Sequence, residues 1–121
     1  MRTLVADEQS RVRSALRLLL EQNSDYEVVD EATEAVELVE KVEREAIELV
    51  VFDWRLPGLE GEELIRQLRQ SAQNIMIVVL SGRPEVRQMA LDAGADAFVS
   101  KADPPEELLS ALQIVCDRRA D

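Results

Sequence analysis

Five short apolar runs alternate with five segments of helical period along this chain, and four of the runs end in a polar residue able to do chemistry. Leu4-Val5-Ala6 leads into Asp7-Glu8, and Leu49-Val50-Val51-Phe52 leads into Asp53. Ile75 through Leu80 leads into Ser81, and Ala97-Phe98-Val99-Ser100 leads into Lys101. Alternating strand and helix patterns predict a parallel sheet, because each crossover helix returns the chain to the same edge before the next strand. Parallel strands finish together, so the residues that follow them gather at one rim. The predicted rim brings three carboxylates, a hydroxyl and an ammonium into one cleft.

The local patterns set the expected elements. Residues 2–6 read as a strand, and Ser10 starts a helix with Val12, Leu16, Leu19 and Leu20 on one face. Residues 26–30 form a weaker second strand, and Thr33 is the expected cap of a helix that turns Ala35, Leu38, Val39 and Val42 inward. Residues 47–53 are the third strand, followed by Leu56-Pro57-Gly58, whose Pro-Gly pair suits a type II turn. Glu60, Glu62 and Glu63 open the third helix, where acids suit the positive end of the dipole. Residues 75–81 are the fourth strand, and Pro84 begins a helix with Val86, Met89, Ala90 and Ala93 inward, stopped by Gly94. Residues 97–101 are the fifth strand, and Asp103-Pro104-Pro105-Glu106 predicts the start of the last helix, lined by Leu108, Leu109, Leu112, Val115 and Cys116.

The third and fourth strands are continuously apolar, as strands covered on both faces must be. The expected fold is therefore α/β: a doubly wound, flavodoxin-like sheet of five parallel strands in the order 2-1-3-4-5, forming a single domain over residues 1–121. That order makes strands one and three neighbours and sets Asp7-Glu8 beside Asp53.

Composition narrows the function. Hydrophobic residues are 46% of the chain but aromatics only 3%, so the core must be aliphatic. A net charge of -11 disfavours direct binding to nucleic acid or to an anionic membrane, and favours a cation or a basic partner. Cys116 is the single cysteine, so no intramolecular disulfide forms, and a reducing cytoplasm is the expected location. The chain has no histidine, which removes His-based triads, most zinc sites and a phosphohistidine carrier role. No apolar run approaches the ~20 residues of a membrane span.

Crowded carboxylates repel: at ~4 Å a like-charged pair costs about 4 kcal/mol at an effective dielectric near ~20. Either some are protonated or a cation sits among them. Oxygen ligands without His or Cys select a hard ion, Mg2+ first and Mn2+ as a substitute. A phosphoryl group could then approach Asp53 as nucleophile, with Ser81 donating to one phosphoryl oxygen and Lys101 pairing with another or with Asp53. Taken singly, each of these residues has a plainer reading as a loop acid, turn serine or solvated lysine; the weight lies in four strand ends agreeing.

On the segments LVADEQSRVRSALRLLL, LVVFDWRLPGLEGEEL, VVLSGR and GADAFVSKADPPEELLSAL, the chain resembles the receiver domain of two-component response regulators over essentially its whole length. The part after Gly94 is most similar to the subgroup that often precedes a helix-turn-helix output domain. The resemblance implies that Asp53 is the phosphoacceptor, that Asp7 and Glu8 with the main-chain carbonyl of Arg55 help hold Mg2+, and that Ser81 and Lys101 are the hydroxyl and lysine of the site. It implies that Ser81 and Phe98 form the switch, Phe98 changing rotamer on activation. It further implies phosphoryl transfer from a sensor histidine kinase or phosphotransfer protein, with self-catalysed transfer and autodephosphorylation rather than turnover as an enzyme. The fourth helix, fifth strand and fifth helix would meet an output partner or an output domain outside these residues, and a homodimer through the same face is expected to be feasible.

The chain also departs from the family pattern. Glu8 replaces the usual second aspartate, and Ala102 stands where a proline commonly follows the lysine. Trp54 is bulkier than the usual aliphatic neighbour of the phosphoacceptor, and Gly82, Arg55 and Arg83 flank the site as candidate modulators of aspartyl-phosphate hydrolysis. The alternative function is a receiver-like interaction module independent of phosphorylation. An aspartyl-nucleophile phosphatase fits less well, because Arg55 occupies the place of its second acid. A flavodoxin-like cofactor binder lacks its phosphate loop, since residues 7–10 carry no glycine.

Overall fold

A computed structural model describes residues 1–120; Asp121, the last residue of the expected domain, lies outside them. The elements follow in strict alternation: β1 (Arg2–Ala6), α1 (Ser10–Glu21), β2 (Glu27–Ala32), α2 (Ala35–Glu45), β3 (Leu49–Asp53), α3 (Gly61–Ser71), β4 (Met76–Ser81), a 3-10 turn (Pro84–Val86), α4 (Arg87–Ala93), β5 (Ala97–Ser100) and α5 (Glu106–Ala120). All strand pairs are parallel and the order is β2-β1-β3-β4-β5, as the sequence predicts.

The central strands explain the two-sided core. Alternate side chains of one strand point to opposite faces. Leu4, Ala6, Val50, Phe52, Ile77 and Val79 go to one face and pack with α2, α3 and α4. Val5, Leu49, Val51, Met76, Val78 and Leu80 go to the other and pack with α1 and α5. Every residue of β4 is buried, which fits a strand lying between two neighbours and two helical layers. Truncating a fully buried leucine here, such as Leu4 or Leu49, would cost about 2–5 kcal/mol.

Four strands differ from the sequence reading by one or two residues at an end, and three helix starts differ for a local reason. The cap of α2 is Glu34 rather than Thr33: its carboxylate accepts from the main-chain N–H groups of Val36 (3.2 Å) and Glu37 (2.6 Å). A charged acceptor at a helix N-terminus outbids a neighbouring hydroxyl. The Pro84 segment is a 3-10 turn, and its tighter winding shifts the phase of α4, so Val86 and Ala90 are buried while Met89 is 47% exposed. The last helix starts at Glu106, because the Asp103 carboxylate instead accepts from Ser100 N–H (3.3 Å) and closes the preceding loop. Gly58 (φ 108°) and Gly94 (φ 115°) take left-handed backbone at the expected turn and helix end.

At the edge opposite the strand C-termini, Asp96 ties three elements together. Its carboxylate accepts from Ile77 N–H (2.7 Å) and Arg69 Nη2 (3.0 Å), and Arg119 Nη2 stands 3.6 Å away. This brace joins α3, β4 and α5 and leaves the other rim to the polar residues.

Candidate functional site

The C-terminal ends of β1, β3, β4 and β5 bring the predicted residues to one rim. Asp7 follows β1 directly, Asp53 ends β3, Ser81 ends β4 and Lys101 follows β5. The ladder aligns Ala6 with Phe52, Asp53 with Leu80, and Ser81 with Ser100, so the four arrive at nearly the same height.

Lys101 Nζ lies 2.9 Å from Asp7 Oδ2 and 3.4 Å from Asp53 Oδ2, joining both carboxylates through one ammonium. Asp7 is only 1% exposed, and its other oxygen accepts from Gln9 N–H at 2.9 Å. A buried charge needs such partners, and among the described residues no buried side-chain N or O atom lacks one. Asp53 is half-buried at the mouth, with Arg55 N–H directed to Oδ1 at 3.4 Å. Its side chain is 15% exposed, against 2% for Asp7.

Glu8 does not join them. It is exposed, and among the described residues no three acidic side chains come together as a metal cluster. The rim thus gathers two carboxylates rather than the expected three. The reason is the turn after β1, which buries Asp7 and carries the next residue out to solvent. Asp7 and Asp53 offer only oxygen donors, the chemistry that a hydrated Mg2+ takes, since that ion uses few protein carboxylates.

Ser81 is 1% exposed, and its Oγ accepts from Arg83 N–H at 3.0 Å, while its carbonyl accepts from Lys101 N–H at 2.9 Å. The hydroxyl is thus tied to the turn that follows β4. Gly82 is exposed, and a Cβ there would meet nothing within 4 Å. Arg83 pairs with Glu85 at 3.0 Å and Arg55 is exposed, so neither guanidinium is bonded to Asp53. The indole of Trp54 lies over Gly61 at the start of α3, where an added Cβ would be 2.5 Å from Cε3. Trp54 thus packs on the rim beside α3.

Phe98 is 7% exposed and belongs to the core cluster with Val86 and Ala90. The Arg87 guanidinium stands 5.9 Å from its ring centroid, and Nη1 donates to the Phe98 carbonyl at 3.4 Å. The ring of Phe98 is therefore packed inward, between α4 and the sheet. Sequence reasoning missed Arg87 and also Arg13, whose Nη1 donates to the carbonyls of Asp7 (2.8 Å) and Glu8 (3.3 Å). The available signal for Arg13 was its phase: it lies three residues before Leu16 and seven before Leu20, on the inward side of α1.

A model of the response regulator receiver domain matches residues 3–113. The chain belongs to that family. The response regulator MprA of Mycobacterium leprae is 38% identical over 120 residues, which is 98% of this chain and 52% of MprA. This chain spans about half the length of the curated relatives it matches. Among solved structures, a LuxR-family two-component response regulator from Aurantimonas sp. SI85-9A1 superposes with a TM-score of 0.88 at 31% identity, covering 96% of this chain and 85% of that one. The isolated REC domain of RcsB from Salmonella enterica serovar Typhimurium, solved with the phosphomimetic BeF3-, gives 0.86 at 25% identity, covering 93% and 86%. Among the described residues, no helix is long and apolar enough to cross a membrane.

Proposed function

We propose that this receiver domain accepts a phosphoryl group on Asp53 in a Mg2+-dependent reaction, with a sensor histidine kinase or phosphotransfer protein as donor. The observation that carries this reading is the Lys101 ammonium shared between buried Asp7 and the more exposed Asp53. A carboxylate oxygen of Asp53 attacks phosphorus, the bond to the donor breaks, and the leaving group takes the electron pair. Asp7, Asp53 and the Arg55 carbonyl would hold Mg2+, with Glu8 acting through water, and the ion would neutralise charge on the phosphoryl oxygens. Lys101 turns from Asp7 to a phosphoryl oxygen, and the Ser81 hydroxyl donates to another. The output is a change on the surface of α4, β5 and α5, read by an output partner or by a domain beyond these residues. The domain's place in a cytoplasmic phosphorelay follows from that role.

One observation favours the second reading, an interaction module that works without phosphorylation. Phe98 packs inward with the Arg87 guanidinium 5.9 Å from its ring centroid, which supports an α4–β5 face that needs no modification to form. Intact-mass measurement after incubation with a small acyl phosphate and Mg2+ separates the two. The first reading expects one added phosphoryl mass, absent in Asp53→Asn and in chelator; an unchanged mass at saturating donor supports the second.

A further inference from the structure

Arg13 is the most heavily engaged side chain near the rim that the proposed chemistry does not use. Its side chain is 16% exposed on α1. Nη1 donates to the main-chain carbonyls of Asp7 at 2.8 Å and Glu8 at 3.3 Å, and Nε donates to Glu31 Oε1 at 2.8 Å. Glu31, in β2, is itself fixed. Arg17 Nη2 reaches its Oε2 at 2.9 Å and Lys41 Nζ its carbonyl at 2.7 Å. The next residue of β2, Ala32, accepts from Asp7 N–H at 3.1 Å. A rigid fork therefore runs from β2 to the two peptide groups that carry the acidic pair.

We propose that Arg13 is a positioning residue for the cation site: it fixes the peptide planes of Asp7 and Glu8 and thereby holds the buried Asp7 carboxylate toward the ion. This rests on the Mg2+ reading above. The planar guanidinium can serve both carbonyls and Glu31 at once, whereas a lysine ammonium on a flexible stem cannot hold that fork. The sign of the effect sets positioning apart from charge. A guanidinium near a cation site repels the ion, so its removal should tighten Mg2+ binding if charge dominates. Positioning requires the opposite. Partners one shell out from a metal typically change its affinity by about 10- to 100-fold when lost.

The test is Mg2+ titration of the 121-residue chain, read by calorimetry and by Trp54 emission, with urea unfolding in chelator alongside. Arg13→Lys keeps the charge and loses the fork; it should bind Mg2+ about 10-fold or more weakly. Glu31→Gln breaks the ion pair but leaves the carbonyl contacts, so it should lose stability with a smaller loss of Mg2+ affinity. Arg13→Gln should also weaken binding, despite removing a positive charge. Wild-type affinity in Arg13→Lys, tighter binding in Arg13→Gln, or equal Mg2+ losses in Arg13→Lys and Glu31→Gln would each overturn the positioning role. No Mg2+ binding by the wild type would instead remove the cation site itself, and the proposal with it.

Discussion

The ammonium of Lys101 stands closer to Asp7 (2.9 Å) than to Asp53 (3.4 Å), the residue it is expected to serve. Asp7 is nearly sealed from water, so its charge needs a local partner more than that of Asp53 does. Lys101 thus occupies the role a cation would take over. Lys101→Met should destabilise the protein in chelator by about 1–3 kcal/mol, the cost of leaving a buried acceptor without its donor. Mg2+ should then restore more stability to the variant than to the wild type. Urea unfolding with and without Mg2+ checks this; equal Mg2+ effects would mean that lysine and cation do not share Asp7.

Gly61→Ala sets helix propensity against packing. Alanine is better than glycine inside a helix by about 1 kcal/mol. Here its Cβ would lie 2.5 Å from Trp54 Cε3, so the indole must move. The expected outcome is a net loss of about 1–3 kcal/mol and a red-shifted Trp54 emission. A stabilised variant with unchanged emission would show that the indole is not held against α3.

Sequence patterns disclosed the sheet order and all four strand-end residues, because parallel topology fixes where strands finish. They overstated the carboxylate count: Asp7 and Glu8 are adjacent in sequence, and only the turn geometry separates one into the interior and one into solvent. The inward state of Phe98 was not legible either. Its position depends on Arg87, eleven residues away on the adjoining helix, and on the winding of the 3-10 turn before it. Arg13 escaped because an arginine on a helix reads as surface charge until the carbonyls beneath it are located.

Tyr26 should make stability fall in alkali. Burial, then the neighbouring Cys116 sulfur at 4.0 Å, pushes its phenol from 10.0 up to about 12. The folded chain keeps this proton over a range where the unfolded chain releases it, so the contribution is full below pH 10.0 and is lost as pH rises toward about 12. Across that window the difference in unfolding free energy between wild type and Tyr26→Phe should shrink by about 2–3 kcal/mol. A difference that stays flat with pH would place the phenol in contact with water.

The acid limb behaves oppositely. Burial pushes the Glu31 carboxyl up, but hydrogen bonds from Arg13 and Arg17 outweigh it and hold the group below its ordinary value of 4.5. Its stabilisation is present above that value and fades as pH falls through the lowered one. In Glu31→Gln this part of the acid dependence should vanish, which acid unfolding monitored by circular dichroism would reveal as a gentler slope.

The central claim is that Asp53, and no other carboxylate of this acidic chain, becomes the acyl phosphate. Borohydride reduces an aspartyl phosphate to homoserine, leaving a permanent mark at the modified position. After treatment with a small acyl phosphate and Mg2+, peptide sequencing by mass spectrometry should find homoserine at position 53 alone, and none when Mg2+ is chelated. Homoserine at Asp7 or another acid, or none at any position under saturating donor, would contradict the account.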